Sequence, residues 1–306
     1  MTVRSSAPSA FGFGRSSWMI SPYVRRLRLA EELRGLRTAA GMTHEQLAKK
    51  LGASRAQISR LENGHVPPDQ DDIIKILDAL GVEGEQWTQI LTIAREAAER
   101  GWWESNKAMG ERQALFANLE AGAASICEYQ QTFFPGLLQT PEFTRVRVES
   151  DWFQRSAGAS FQAEGLIKGR AGRQRMLARP GGPTYEVIVD EVVIRRRLAP
   201  PGVVRAQLLH LVDKAAEERI TIRVLPIETD IEGYTLVPCT FSIYRYHDPG
   251  DPVVVGVEAV TSDVVLTEPH QVTSYLHMYD RLRAAALPEQ DGLALLIRAA
   301  DQLPDE

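Results

Sequence analysis

Arg55, Ala56, Ser59 and Arg60 are spaced so that, in a helix, all four share one face, opposite Ile58 and Leu61. That face carries two guanidiniums, one hydroxyl and one small methyl, with no acid. A short helix with an apolar back and such a front suits the DNA major groove, where Arg pairs bidentately with guanine O6 and N7. In a pair of helices that reads DNA, the N-terminal residues of the second lie nearest the base edges. Arg55 is therefore the first candidate for base reading, and Arg60 reaches a base or a phosphate. Thr43, His44, Ser54, Gln57 and Asn63 flank this face as candidates for bracing phosphates through side chains or backbone amides. Gln57 has a second possible use, closing a helix cap.

Two short helices must hold these residues. Thr43 with Gln46, and Ser54 with Gln57, have capping-box spacing, so each pair marks a helix start. Gly52 and Gly64 fall where the helices should stop, since glycine tolerates left-handed geometry. Leu47, Ala48 and Leu51 form one apolar stripe, Ile58 and Leu61 another. The one acid of the second helix, Glu62, sits on the buried-leaning side near its end. A preceding helix runs from Pro22 to about Ala40, with Leu29, Leu33 and Leu36 inward. Arg25, Arg26, Arg28, Arg34 and Arg37 crowd its other faces, to touch phosphates or to be solvated. A fourth helix is expected over about 69–80. A fifth, over about 85–100, has Trp87, Ile90, Leu91 and Ala94 on one side and leads out as a linker.

The stretch resembles the XRE (phage-repressor-like, Cro/CI-type) helix-turn-helix family on Leu47-Ala48, Gly52, the run Ile58 to Gly64, and Pro67. The resemblance implies sequence-specific DNA binding. The chain departs from it at His44, where the family often has a phosphate-bracing Gln, so that contact could depend on pH. A second resemblance rests on P-G-L-L-Q-T-P-E-F at 135–143, R-x-x-R-Q at 170–174, Asp190-Glu191, V-L-P at 224–226, Val257-Glu258 and R-L-R-A-A-A-L at 281–287. These look like the domain of unknown function that follows such a head in actinobacterial regulators. That likeness implies a transcriptional regulator, sometimes acting with a small partner protein, and no known ligand or reaction. It departs at Val255-Gly256-Val257, where the family more often carries an aromatic before the acid.

Composition sets the bounds. The chain has 306 residues, 44% hydrophobic and 25% charged, enough for two cores. Its net charge of −5 argues against a polyanionic partner, but the distribution reverses this. Residues 1–68 hold 11 Lys and Arg against 4 Asp and Glu, the remainder 24 against 36. A basic head on an acidic body is expected when only one domain binds nucleic acid. The 2 cysteines, Cys127 and Cys239, lack metal or redox spacing, and no apolar run is long enough to span a membrane. A cytoplasmic, nucleoid-associated protein is expected, with no cofactor and no metal.

Beyond the head, helices and β-rich runs mix: strands near 126–134, 185–190, 220–225, 240–246 and 253–259, and helices near 111–120, 160–178, 203–218, 268–285 and 289–302. The expected fold is an all-α five-helix helix-turn-helix domain followed by a larger α+β domain. The divisions are 1–20 a disordered arm, 21–82 the DNA-binding domain, 83–104 a helical linker and 105–303 a sensor or interaction domain. No phosphate-cradling loop, zinc-protease motif or nucleophile elbow occurs, so no enzyme is expected. Asp190 and Glu191 could do acid–base work, but adjacent residues at a strand end point apart. On a helix, Arg170, Arg173 and Gln174 share a face that could hold a carboxylate or phosphate of an effector or partner. The competing reading, which is favoured, is an internal salt bridge, with Glu258 as its partner. The expected mechanism is a homodimer with two recognition helices about one turn of double-stranded DNA apart. In the alternatives, the second domain is catalytic or a protein-interaction module and the head serves only for targeting.

Overall fold

Ser21 opens the first helix: its Oγ accepts the Val24 N–H at 3.1 Å and Pro22 takes the first helical position, where a missing N–H costs nothing. The computed structural model describes residues 20–64, 66–105, 109–150, 163–234, 237–259 and 262–304; the expected arm lies, but for its last residue, outside them. Five helices form the head: α1 (Pro22–Ala39), α2 (His44–Leu51), α3 (Arg55–Leu61), α4 (Gln70–Leu80) and α5 (Gly84–Ala98).

Both caps form, with one difference. Around Thr43 the box is complete: Gln46 N donates to Thr43 Oγ1 at 3.2 Å, and Thr43 N donates to Gln46 Oε1 at 2.8 Å. At Ser54 only half of it forms. Ser54 Oγ accepts the Gln57 N–H, but the Gln57 side chain crosses to Asp72 Oδ2 of α4 at 2.9 Å. The last helical residue of α3 is Leu61, and Gly64 sits in the turn beyond it with φ +66°. A Cβ there would lie 3.2 Å from the Arg26 carbonyl oxygen, so glycine lets the turn close onto α1.

The head core joins Leu29 and Leu33 of α1, Leu47 and Ala48 of α2, Ile58 and Leu61 of α3, and Ile73 and Leu77 of α4. Ile90, Ile93, Ala94 and Ala97 of α5 belong to the same cluster. The helix expected to lead out as a linker thus packs along α1.

After a single turn at Trp102–Ser105, the body comprises α6 (Glu111–Glu120), β1 (Ala123–Gln130), α7 (Pro141–Ser150), α8 (Ala163–Leu177), β2 (Thr184–Asp190), α9 (Glu191–Arg195), α10 (Pro201–Lys214), β3 (Ile220–Leu225), β4 (Phe241–Tyr246), β5 (Val254–Val257), β6 (Val264–Leu266), α11 (Pro269–Ala285) and α12 (Glu289–Asp301). The strands make one six-stranded sheet in the order β3-β2-β1-β4-β5-β6. The first three are parallel and joined by helical crossovers; β4, β5 and β6 are antiparallel. This is the expected class, an all-helical head followed by a larger domain of sheet and helices.

Alternation along the strands gives two apolar faces. Ile126, Val187, Val189, Ile222, Val224 and Tyr244 pack beneath α6, α7, α10 and α12. Tyr129, Ile188, Phe241, Ile243 and Val255 meet Val272, Tyr279 and Leu282 of α11. The strand expected over 126–134 starts earlier, after the Gly122 turn (φ +70°), and leaves the sheet at Gln131. Phe134 then enters the core against Phe143, ring centroids 5.1 Å apart.

Head and body meet through apolar and charged contacts: Val24 of α1 is buried in the body core, with Tyr23 and Leu27 packed against it. Arg25 and Arg28 of α1, each 7% exposed, turn toward the loop between β4 and β5. Arg25 bonds Asp248 at 2.9 Å, Asp251 at 3.0 Å and Glu96 at 3.0 Å, and Arg28 bonds Asp248 at 2.7 Å. The Gly250 N–H and these two guanidiniums outweigh burial and hold the Asp248 carboxyl down at about 2.

Candidate nucleic-acid interface

The front of α3 is open. Arg55, Ala56 and Arg60 are exposed, Ser59 is half-buried, and neither guanidinium makes a hydrogen bond or ion pair among the described residues. Behind them Ile58 and Leu61 are buried in the head core. The structure thus brings all four proposed base-reading residues to one outward face. Thr43, Ser54 and Asn63 are exposed beside it; Asn63 Nδ2 donates to Ser59 Oγ at 3.3 Å.

Two of the proposed phosphate-bracing side chains point elsewhere. Gln57 is engaged by Asp72, and His44 Nε2 lies 3.0 Å from Glu62 Oε2. Glu62, 2% exposed, also accepts Arg37 Nε at 2.7 Å and Arg37 Nη2 at 2.8 Å, while Arg37 Nη1 donates to the Met42 carbonyl at 2.7 Å. This bidentate pair, with His44 added, ties α1, α2 and the end of α3 together. At His44 only the backbone N–H is left to face a phosphate, and at Gln57 not even that, since its N–H is donated to Ser54.

Four arginines of α1 likewise reach acceptors within the protein. Arg25 and Arg28 serve the body, Arg37 serves Glu62, and Arg34 Nη2 donates to the Glu62 carbonyl at 2.6 Å. Their expected role on phosphates gives way because each finds an internal acceptor. Helical spacing alone places a guanidinium on a face; it does not say what the rest of the chain brings to that face.

In the body, Arg173 makes the internal salt bridge, but with Glu120 and not with Glu258. Its Nε lies 2.9 Å from Glu120 Oε2, and Nη1 donates to Gln113 Oε1 at 2.8 Å. Against the cost of burial, the Glu120 carboxylate raises the Arg173 pKa. Gln174 Nε2 donates to the Gln139 carbonyl at 2.7 Å, and Arg170 Nη1 donates to Gln139 Oε1. Glu258 instead accepts Gln130 Nε2 at 3.2 Å. The same amide nitrogen donates to Glu128 Oε1 at 2.7 Å, and Tyr185 Oη donates to Glu128 Oε2 at 2.6 Å. Glu120, Glu128, Gln130 and Gln139 were not singled out from the sequence. Glu128 and Gln130 read there as ordinary strand positions, and Glu120 is far from Arg173 along the chain.

Burial pushes the Glu128 carboxyl up to about 7. Between its ordinary value near 4.5 and about 7, the unfolded chain releases this proton while the folded chain keeps it, so stability falls as pH rises through that window. Glu128→Gln should remove this slope. In thermal denaturation its midpoint, relative to wild type, is expected to rise between about pH 5 and about pH 8. A constant difference across that range would mean that Glu128 ionises normally. Asp190 accepts Val192 N and Tyr129 Oη, each at 2.9 Å, and so acts as a helix cap.

Among the described residues no helix is long and apolar enough to cross a membrane, and no group of His, Cys, Asp and Glu could hold a metal. Residues 28–87 match a helix-turn-helix domain, and residues 113–298 match a domain of unknown function, DUF5753. No curated protein and no solved structure matches the chain. The second match covers more than half of the sequence: the chain belongs to the DUF5753 family, with the helix-turn-helix head of a DNA-binding regulator.

Proposed function

We propose that this protein is a sequence-specific transcriptional regulator of the XRE type, acting as a cytoplasmic homodimer on double-stranded DNA. Each α3 enters a major groove, the two about one helical turn apart. Arg55 and Arg60 read bases, with Ala56 and Ser59 against the base edges. Thr43, Ser54 and Asn63 brace phosphates, joined by the backbone at the start of α2. The body sets the spacing of the two heads and responds to an effector or small partner protein; it is not catalytic. One observation carries the reading: Arg25, Arg28, Arg34 and Arg37 of α1 each reach an acceptor within the protein, while Arg55 and Arg60 at the front of α3 stay exposed and unpaired among the described residues.

The test is Arg55→Ala, measured as affinity for a selected DNA site and for its single-base variants. A loss of about 1–3 kcal/mol, with relaxed preference at one base pair, is expected. Equal weakening on every sequence would move Arg55 to the phosphate contacts.

A further inference from the structure

Around the carboxyl end of β1 the body buries a polar cluster in which two charges remain unsatisfied. Arg173 has all it needs from Glu120 and Gln113, and its guanidinium lies 5.1 Å from the centre of the Phe116 ring. Arg170, one helical turn earlier on α8, does not. Its single hydrogen bond goes to Gln139 Oε1, its Nε is buried with no partner, and no carboxylate lies within 4.0 Å of it among the described residues. Burial, and then the neighbouring Arg173 charge, lower its pKa to about 10.

Glu258 is its counterpart of opposite sign. Its carboxylate accepts one hydrogen bond, from Gln130 Nε2, and pairs with no cation among the described residues. Burial raises its pKa, and Arg112, the cation that most opposes this, is engaged by Asp263 at 2.8 Å. Arg170 and Glu258 feel each other's charge yet form no ion pair, and both are half-buried, so each keeps access to solvent. The backbone at Gly136 lies against both guanidiniums: a Cβ there would sit 3.9 Å from Arg170 Nε and from the Arg173 Nη atoms, in ordinary contact with them.

An unpaired guanidinium in a buried setting destabilises a fold, and such costs persist where binding makes use of them. A simple anion would satisfy Arg170 but meet the Glu258 carboxylate. A simple cation would have the reverse difficulty. We propose that Arg170 and Glu258 are the two poles of a binding site for a small zwitterion of the amino-acid class, its carboxylate on Arg170 and its protonated amine on Glu258. Gln139 and Gln130 orient the two poles. The site deepens the effector role proposed for the body and rests on that reading for its consequence, though not for binding itself.

The test is thermal denaturation of the full-length protein with each of the protein amino acids at millimolar concentration. The matching 2-oxo acids, which lack the amine, and the matching decarboxylated amines serve as controls. At least one amino acid is expected to raise the unfolding midpoint of the wild type, with no shift from its oxo acid or amine. Arg170→Met should raise the ligand-free midpoint and abolish the shift; Glu258→Gln should fold and abolish it too. Arg173→Met, which breaks a formed ion pair, should lower the midpoint. If Arg170→Met lowers it equally, Arg170 is structural and the proposal is overturned. An oxo acid or amine acting as well as its amino acid, or no response to any amino acid, overturns it too. Gel shifts on the same samples separate the two readings. Amino-acid binding without DNA binding would sink the regulator and leave the site; DNA binding without any amino-acid response would sink the site alone.

Discussion

Raising monovalent salt from about 50 to about 200 mM is expected to weaken binding of the full-length protein to a selected DNA site by roughly four orders of magnitude. The size of the effect is set by which cations remain open to DNA. Arg25, Arg28 and Arg37 hold carboxylates of the protein itself and release no counterions from DNA. Lys49, Lys50, Arg55 and Arg60 are exposed around α2 and α3 and form no ion pair among the described residues. Two heads thus present about eight cations to phosphates and base edges. At about 0.9 per neutralised phosphate, the slope of log K against log salt is near −7. Fluorescence anisotropy across a salt series measures it directly. A flat response would contradict DNA binding through this face, and a slope near half that value would indicate a single head on the site.

Glu62→Ala should be the most damaging single substitution in the head. Glu62 is 2% exposed and gives both carboxylate oxygens to Arg37, itself 9% exposed. Removing the acid leaves a buried guanidinium with only the Met42 carbonyl, and breaking such a pair costs about 3–5 kcal/mol. The same change releases His44 and loosens the attachment of α3 to α1 and α2. Urea unfolding followed by circular dichroism should show the head melting at lower denaturant, with DNA binding lost in parallel. A change below about 1 kcal/mol would mean that water reaches Arg37 and that the pair carries little stability.

The parts of this fold that were legible in the sequence are those fixed by short-range rules. Capping spacing and glycine placement locate α2 and α3 because both act within a helical turn. Alternation locates β3, since Ile220, Ile222 and Val224 must face one way whatever lies above them. The outward face of α3 was legible for the same reason. What was not legible depends on distant partners. Arg173 finds Glu120, Arg28 finds Asp248 and His44 finds Glu62, and in each case the acid lies on a different element. No local pattern identifies which of several acids will arrive. The three-residue β6 was missed because so short a run carries too little alternation to register. The strand order was out of reach as well: three parallel strands flanked by three antiparallel ones are set by the crossovers, not by the strands' own residues.

The hairpin of β4 and β5 is held at both ends by different neighbours. Its tip, Asp248 to Asp251, clasps the guanidiniums of α1. Its open end, where Glu258 N donates to the Thr240 carbonyl at 3.0 Å, lies against Gln130 beside the unpaired Arg170. Between them run paired strands, buried on both faces, in an interior too dense to absorb a displacement locally. The hairpin is therefore a crossbar between the two domains: the head cannot swivel about α1 without dragging one end of it, and the other end moves with the polar cluster.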